Sequence, residues 1–187
     1  MNEGNYLTDH FLIAMPTMQD PNFSRTVTYL CQHNEDGALG IMVNREHSMC
    51  VGDLFEQLSL EPKQSGIAET LVYYGGPVQP ERGFVLHIPH GKWDSTMEIN
   101  PHISLTTSRD ILESIAAGEG PDKWMVALGY AGWGGGQLEF EIQQNAWLNG
   151  QACEQIIFDA PTKDRWREAA DSIGVDISLI ATQPGHC

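Results

Sequence analysis

The sequence predicts a single α+β domain with a mixed β-sheet over residues 1–187. Three observations support this prediction. A chain of 187 residues with 41% hydrophobic side chains is long enough for one buried core. A β-hairpin pattern lies near its beginning, and short strand-like runs then alternate with helix-like stripes. This mixture favours an α+β architecture.

The first part of the chain predicts three strands. An apolar run at 11–15 ends at Pro16, which is typical of a short buried strand. Residues 25–31 are rich in β-branched and aromatic side chains, residues 39–43 are mostly apolar, and turn-forming residues at 34–37 separate them. The pattern therefore predicts a β-hairpin.

The hairpin loop also predicts a register. If His33 lies opposite Ala38, then Cys31 lies opposite Gly40, and Asn44 lies on the face that holds the aromatic side chains. Cys31 and His33 share this face, but residues two apart on a strand are separated by about 6.5 to 7 Å. We therefore expect no direct thiolate–imidazole pair.

Helix-like and strand-like runs alternate through the rest of the chain. Residues 137–148 fit a strand and a helix equally well by periodicity, and both interpretations stay open at this point. The other predicted elements are helices at 51–58, 111–116 and 166–173, and strands at 71–74, 83–88, 97–99, 103–105, 123–130, 153–158 and 176–181.

The charge balance excludes two classes of partner. The chain has 25 acidic and 10 basic side chains, a formal net charge of −15. Direct nucleic-acid binding depends on clustered Lys and Arg, and an anionic membrane surface repels an acidic protein. We expect neither partner, and a basic protein or a neutral small ligand remains open.

Other exclusions follow from the apolar runs and the cysteines. The longest apolar runs, 11–15 and 124–128, fall far short of the roughly 20 residues that span a bilayer. No secretory signal pattern precedes Arg25, so we expect a cytoplasmic protein. The cysteines form no Cys-x-x-Cys pair, and we expect reduced thiols and no metal or cofactor.

The most unusual stretch is rich in glycine and spans 129–136. It lacks the Lys of a phosphate-binding P-loop and the spacing of a dinucleotide fingerprint. Its glycines either permit close packing and sharp turns or line a ligand site in a 129–137 loop. The same alternatives apply to the Gly75–Pro77 turn, where geometry favours the turn.

His87 is the strongest candidate for a general base. The predicted strand turns it inward, where a hydrogen-bonded core histidine is the more common outcome. His90 completes a His-x-x-His pair, but Pro89 and Gly91 exclude a helix that would align the two rings on one metal. The common hydrolase signatures are absent from the sequence.

Several blocks in this order resemble the AlgH/YqgE family of bacterial cytoplasmic proteins. The blocks are FLIAMP at 11–16 with Asp20 and Phe23, GALG at 37–40 with Asn44, GGPV at 75–78, RGFVLH at 82–87, GYAGW at 129–133, GQLE at 136–139, Trp147, Trp166 and a terminal Gly185-His186. The resemblance implies a bifurcated mixed sheet folded into a pseudo-barrel with flanking helices. It favours a helix at 137–148 and implies a genetic link to alginate regulation in pseudomonads, but no reaction.

These observations lead to one principal hypothesis and two alternatives. We expect a non-catalytic or regulatory binding protein. The alternatives are an enzyme that uses His87 and the 129–137 loop, and an acidic protein-interaction module. The candidate ligand-binding residues are Asn44, Gly75, Gly76, Pro77, His87, Gly129, Tyr130, Gly132, Trp133, Gly136 and Gln137.

Overall fold

The computed structural model describes residues 5–181, so the terminal Gly185-His186 pair and Cys187 lie outside the described residues. The strands are β1 (His10–Ala14), β2 (Val27–Asn34), β3 (Gly37–Met42), β4 (Glu46–Cys50), β5 (Leu71–Tyr74), β6 (Val78–Ile88), β7 (Thr96–Glu98), β8 (Ser104–Thr106), β9 (Lys123–Gly134) and β10 (Trp147–Gln151). The helices are α1 (Val51–Gln57), α2 (Arg109–Ala116), α3 (Gln137–Gln143), α4 (Glu154–Phe158), α5 (Arg165–Ser172) and α6 (Ile177–Ala181).

The chain divides into two compact units. The first unit combines the residues up to Asn44 with those from Ala131 onward, and the second unit is Arg45–Tyr130. Strand β9 contributes residues to both units. The prediction of one domain over 1–187 stays a prediction.

The first unit contains an antiparallel sheet with the order β10-β1-β2-β3-β9. One face buries a cluster that joins strand residues to Leu138 of α3. Alternation along the strands supplies this face, because every second side chain points to the same side of a sheet. The buried members are Leu12, Ala14, Leu30, Ala131, Trp133, Leu138 and Trp147.

The predicted hairpin is confirmed, but its register is correct only near the turn. His33 lies opposite Ala38, whereas Gly40 lies opposite Leu30 and not Cys31. The register shifts between Leu30 and Gln32, because a β-bulge adds one residue to β2. The alternation on which the prediction rested therefore breaks at Cys31.

The second unit contains a mixed sheet with the order β7-β8-β6-β9-β5-β4. Strand β5 pairs with β9 in parallel, and the other neighbours are antiparallel. Helices α1 and α2 bury apolar stripes in the core of this unit, with Val51 and Phe55 from α1 and Ile111 and Ile115 from α2. The predicted α+β class with mixed strand pairing is confirmed.

Four segments differ from the sequence-based prediction. Strand β9 continues through the glycine-rich stretch to Gly134, so most of the expected 129–137 loop is strand. The expected helix at 137–148 ends at Gln143, and β10 then begins at Trp147. The strands predicted at 153–158 and 176–181 are wrong, since these residues form α4 and α6. Short apolar runs do not distinguish a strand from one buried helical turn.

Candidate aromatic binding site

A cavity of about 340 Å³ opens in the first unit. Its walls combine aromatic rings with two carboxylates and one side-chain amide. The residues that line it are Met18, Asp20, Phe23, Gly132, Trp133, Gln137, Glu141 and Trp147.

Secondary structure positions most of these side chains. Gly132 and Trp133 lie on β9, and Trp147 begins β10. Gln137 and Glu141 lie one turn apart on α3, and residues at this spacing share a helix face. They can therefore reach the cavity together.

Helix α3 is held to the sheet through Glu139. Nδ1 of the buried His33 accepts a hydrogen bond from the Leu7 N–H at 2.9 Å. Its Nε2 therefore carries the proton in the neutral ring and donates to the Glu139 carboxylate at 2.5 Å. This link fixes the helix that presents Gln137 and Glu141.

A hydrogen-bonded turn holds Asp20 and Phe23. The Asp20 carbonyl accepts from the backbone N–H groups of Phe23 and Ser24, at 3.0 and 2.8 Å. The Asp20 carboxylate accepts from the Asn22 N–H at 2.9 Å. Such a local bond from an Asp side chain stabilises a turn without a sheet partner.

Three aromatic rings form the apolar wall of the cavity. The ring centroids are 5.5 Å apart for Phe23 and Trp147, 6.1 Å for Trp133 and Trp147, and 6.2 Å for Phe23 and Trp133. The first two pairs meet edge to face, a favourable geometry because the positive ring edge meets the negative face. Trp133 and Trp147 are 6% and 3% exposed, so this wall is largely shielded from water.

Glu141 joins the two indoles to α3. Its Oε1 accepts from Nε1 of Trp133 at 3.3 Å and from Nε1 of Trp147 at 3.2 Å. Its Oε2 accepts from the Gln137 side-chain amide at 3.0 Å, and the amide oxygen of Gln137 accepts from the Gly134 N–H at 3.0 Å. A carboxylate offers about four acceptor positions. Three are used, and one position on Oε2 remains for a donor.

The cavity has a negative electrostatic character. Asp20 and Glu141 both line it, and none of its lining residues, all within 5–181, is a Lys or an Arg. The three donors to Glu141 are uncharged groups, so none of them pairs the carboxylate with a positive charge. An anion is therefore disfavoured here.

The predicted site residues fall in both units. The structure brings Gly132, Trp133 and Gln137 together in the cavity wall. Asn44 instead fastens the beginning of β2, since its side chain accepts from the Val27 N–H and donates to the Arg25 carbonyl. Gly136 precedes α3 with a left-handed φ of 77°.

The predicted glycines of the second unit are explained by backbone packing. A Cβ atom on Gly75 would lie 2.3 Å from the Gly129 carbonyl oxygen, and one on Gly129 would lie 2.3 Å from the Gly76 oxygen. Gly129 also has a φ of 77°, which disfavours other residues. Of the remaining candidates, Pro77 is exposed, and Tyr130 packs its ring edge-on against Phe84.

His87 is a fully buried, hydrogen-bonded core residue of the second unit. Its Nδ1 donates to the Pro89 carbonyl at 3.0 Å, which leaves Nε2 to accept from the Thr106 hydroxyl at 2.7 Å. Trp93 covers the ring edge-on at 5.0 Å. Burial in this environment lowers the pKa of His87.

The rings of the His-x-x-His pair are held by hydrogen bonds within the protein. Both ring nitrogens of His90 are engaged, with the Pro101 carbonyl and the Ser104 hydroxyl. Within the described part of the chain, no group of three or more His, Cys, Asp or Glu side chains is arranged to hold a metal ion. Over the same residues, no helix combines the length and the apolar character that crossing a membrane requires.

Sequence reasoning missed five residues of the cavity as site residues, namely Met18, Asp20, Phe23, Glu141 and Trp147. One signal could have revealed Glu141. Once 137–143 is assigned as a helix, the spacing of four residues places Glu141 beside Gln137. The other four residues reach the cavity only through long-range strand pairing, which local periodicity does not encode.

Comparisons with known proteins assign the family. A sequence model described as AlgH-like matches residues 11–178. A UPF0301 protein of Methylococcus capsulatus is 51% identical over 99% of this chain and 98% of its own. A UPF0301 protein of Saccharophagus degradans is 54% identical, over 96% of this chain and 88% of its own.

One solved structure agrees with this assignment, and a second shares the fold. The solution structure of the AlgH protein from Pseudomonas aeruginosa matches with a TM-score of 0.81 and 46% identity, over 100% of this chain and 99% of that one. A crystal structure of a Corynebacterium diphtheriae protein matches with a TM-score of 0.75 over 97% and 95% of the two chains. At 17% identity it shows the shared fold alone. The family model covers residues 11–178, and about half of the residues are identical to those of these relatives, so this chain belongs to the AlgH-like family of UPF0301 proteins.

Proposed function

We propose that this protein is a non-catalytic or regulatory binding protein of the bacterial cytoplasm, and that its ligand site is the aromatic cavity of the first unit. The convergence of Trp133, Trp147 and Gln137 on the Glu141 carboxylate is the observation on which the proposal rests. Ligand sites typically pair an apolar wall with a few placed polar groups. This cavity has both.

The environment of His87, the strongest candidate for a general base, supports a non-catalytic protein. A general base must reach the proton that it abstracts. His87 is 0% exposed, and protein groups occupy both of its ring nitrogens. Its geometry suits a structural role in the core.

Cysteine usage supports the cytoplasmic part of the proposal. Cys31, Cys50 and Cys153 are free thiols in the structure. Unpaired cysteines are typical of proteins in a reducing compartment.

A compound panel tests the binding role. Purified protein is mixed at millimolar concentrations with cationic, anionic, zwitterionic and neutral small molecules, and melting temperature and tryptophan fluorescence are followed. We expect a saturable response from at least one class, because the indoles line the cavity. The response should disappear in Gly132→Leu, which adds a side chain to the cavity wall, and persist in Gly83→Leu. Gly83 is a matched strand glycine of the second unit.

Two results would overturn the proposal. One is the absence of a saturable response from every class. The other is turnover of esters, phosphoesters or amides by the purified protein that His87→Ala abolishes. Far-UV circular dichroism of both glycine variants establishes that they are folded before binding is compared.

A further inference from the structure

We infer that the aromatic cavity takes a small organic ammonium ion, held by the Glu141 and Asp20 carboxylates against the Phe23, Trp133 and Trp147 rings. This inference rests on the proposed function, because it names the chemical class of the ligand at the same site. Charge, hydrogen-bond capacity and the aromatic wall each support it separately.

The charges select a cation. Two carboxylates line the cavity, and its described lining residues include no basic side chain. The net charge of −15 adds a field that raises the local concentration of cations at the surface. An anionic ligand would meet repulsion at both carboxylates.

Hydrogen bonding leaves a place for an N–H donor. The acceptor positions of Glu141 Oε1 are filled by the two indole N–H groups, and Oε2 receives only the Gln137 amide. A charged donor on Oε2 forms a stronger bond than a neutral donor does. An ammonium group therefore completes the coordination of Glu141 without displacing a protein contact.

The aromatic wall selects an organic cation over a metal ion. The polar edges of Trp133 and Trp147 are occupied by Glu141, so the remaining surface of both rings is apolar. Aromatic rings attract alkylated ammonium groups through the ring quadrupole and bury their methyl or methylene groups. Ca²⁺ requires about six to eight oxygen ligands, which two carboxylates and one amide do not supply. The volume of about 340 Å³ restricts the ligand to a small molecule.

Matched pairs of cations and neutral analogues test the inference. Choline is compared with 3,3-dimethylbutan-1-ol, and butylammonium with butan-1-ol, by calorimetry and tryptophan fluorescence at constant ionic strength set with sodium chloride. We expect saturable binding of butylammonium, whose N–H groups can donate to Glu141, about tenfold or more tighter than that of butan-1-ol. Choline has no N–H group, so its preference over 3,3-dimethylbutan-1-ol measures the contribution of charge and the aromatic wall alone.

Each outcome separates this inference from the proposed function. Equal affinity for cation and neutral analogue overturns the ammonium assignment and leaves the binding role intact. Binding of only anionic or neutral members of the wider panel also overturns the ammonium assignment and leaves the binding role intact. Silence from every class overturns both proposals.

Variants then locate the binding. Glu141→Gln keeps an acceptor for the indoles but removes the charge, and Asp20→Asn keeps the acceptor for Asn22. We expect both to weaken cation binding, Glu141→Gln by about tenfold or more. Glu168→Gln is the control, because it makes the same change in net charge at an exposed position on α5. If Glu141→Gln does not fold, the cation affinity of Asp20→Asn is the deciding measurement. Wild-type affinity in every folded cavity variant overturns the inference.

Discussion

Replacing Glu141 by Leu tests whether its carboxylate stabilises the two buried indoles. The N–H groups of Trp133 and Trp147 would lose their acceptor, and these residues are 6% and 3% exposed. A buried donor left without a partner costs about 1–3 kcal/mol, so the two together could cost about 2–6 kcal/mol. Because the two bonds are long, at 3.2–3.3 Å, we expect a loss near the lower end of this range, about 2 kcal/mol.

Urea unfolding followed by circular dichroism measures this loss. Leu and Glu have similar helix propensity, so α3 itself should be little affected. Glu168→Leu controls for the same exchange at an exposed helix position, and Glu141→Gln retains an acceptor and should stay within about 1 kcal/mol of wild type. Equal stability of Glu141→Leu and Glu168→Leu would refute the role assigned to the carboxylate.

Two further predictions concern the second unit. Gly129→Ala should lower the free energy of unfolding by about 2 kcal/mol or more, because its Cβ would lie 2.3 Å from the Gly76 oxygen at a left-handed φ. Gly83→Ala is the control, because its Cβ would meet open space, and it should change the free energy of unfolding by less than about 1 kcal/mol. Similar losses for the two variants in urea unfolding would contradict the packing argument. Desolvation holds the pKa of folded His87 below its ordinary value, so the unfolded chain binds the proton first as the pH falls. His87 should therefore lower the free energy of unfolding as the pH falls below about 6.5, by at most about 1.4 kcal/mol per pH unit. If the free energy of unfolding of a His87→Asn variant depends on pH as steeply as that of the wild type, this contribution is excluded.

The sequence predicted the fold best where local pattern and tertiary structure agree. Helix α2 and the hairpin turn at 34–37 follow from periodicity and turn chemistry that act over a few residues. The bulge at Cys31 and the helical state of 154–158 do not, because both are decided by packing between distant segments.

The candidate site was predicted only in part for the same reason. Gly132, Trp133 and Gln137 stand out because glycines cluster around an aromatic residue. Phe23 and Trp147 carry no such local signal. They meet because β1 pairs with both β2 and β10, which brings Phe23, just before β2, close to Trp147 at the beginning of β10.

The extra residue in β2 has a chemical consequence for its thiol. Cys31 is 2% exposed, its Sγ donates to the Tyr29 carbonyl, and burial together with the nearby Asp9 charge raises its pKa. Thiolate is the reactive form, so Cys31 stays inert towards alkylating reagents while the strand is intact. Alkylation of Cys31 would therefore report the local opening of β2 in the first unit.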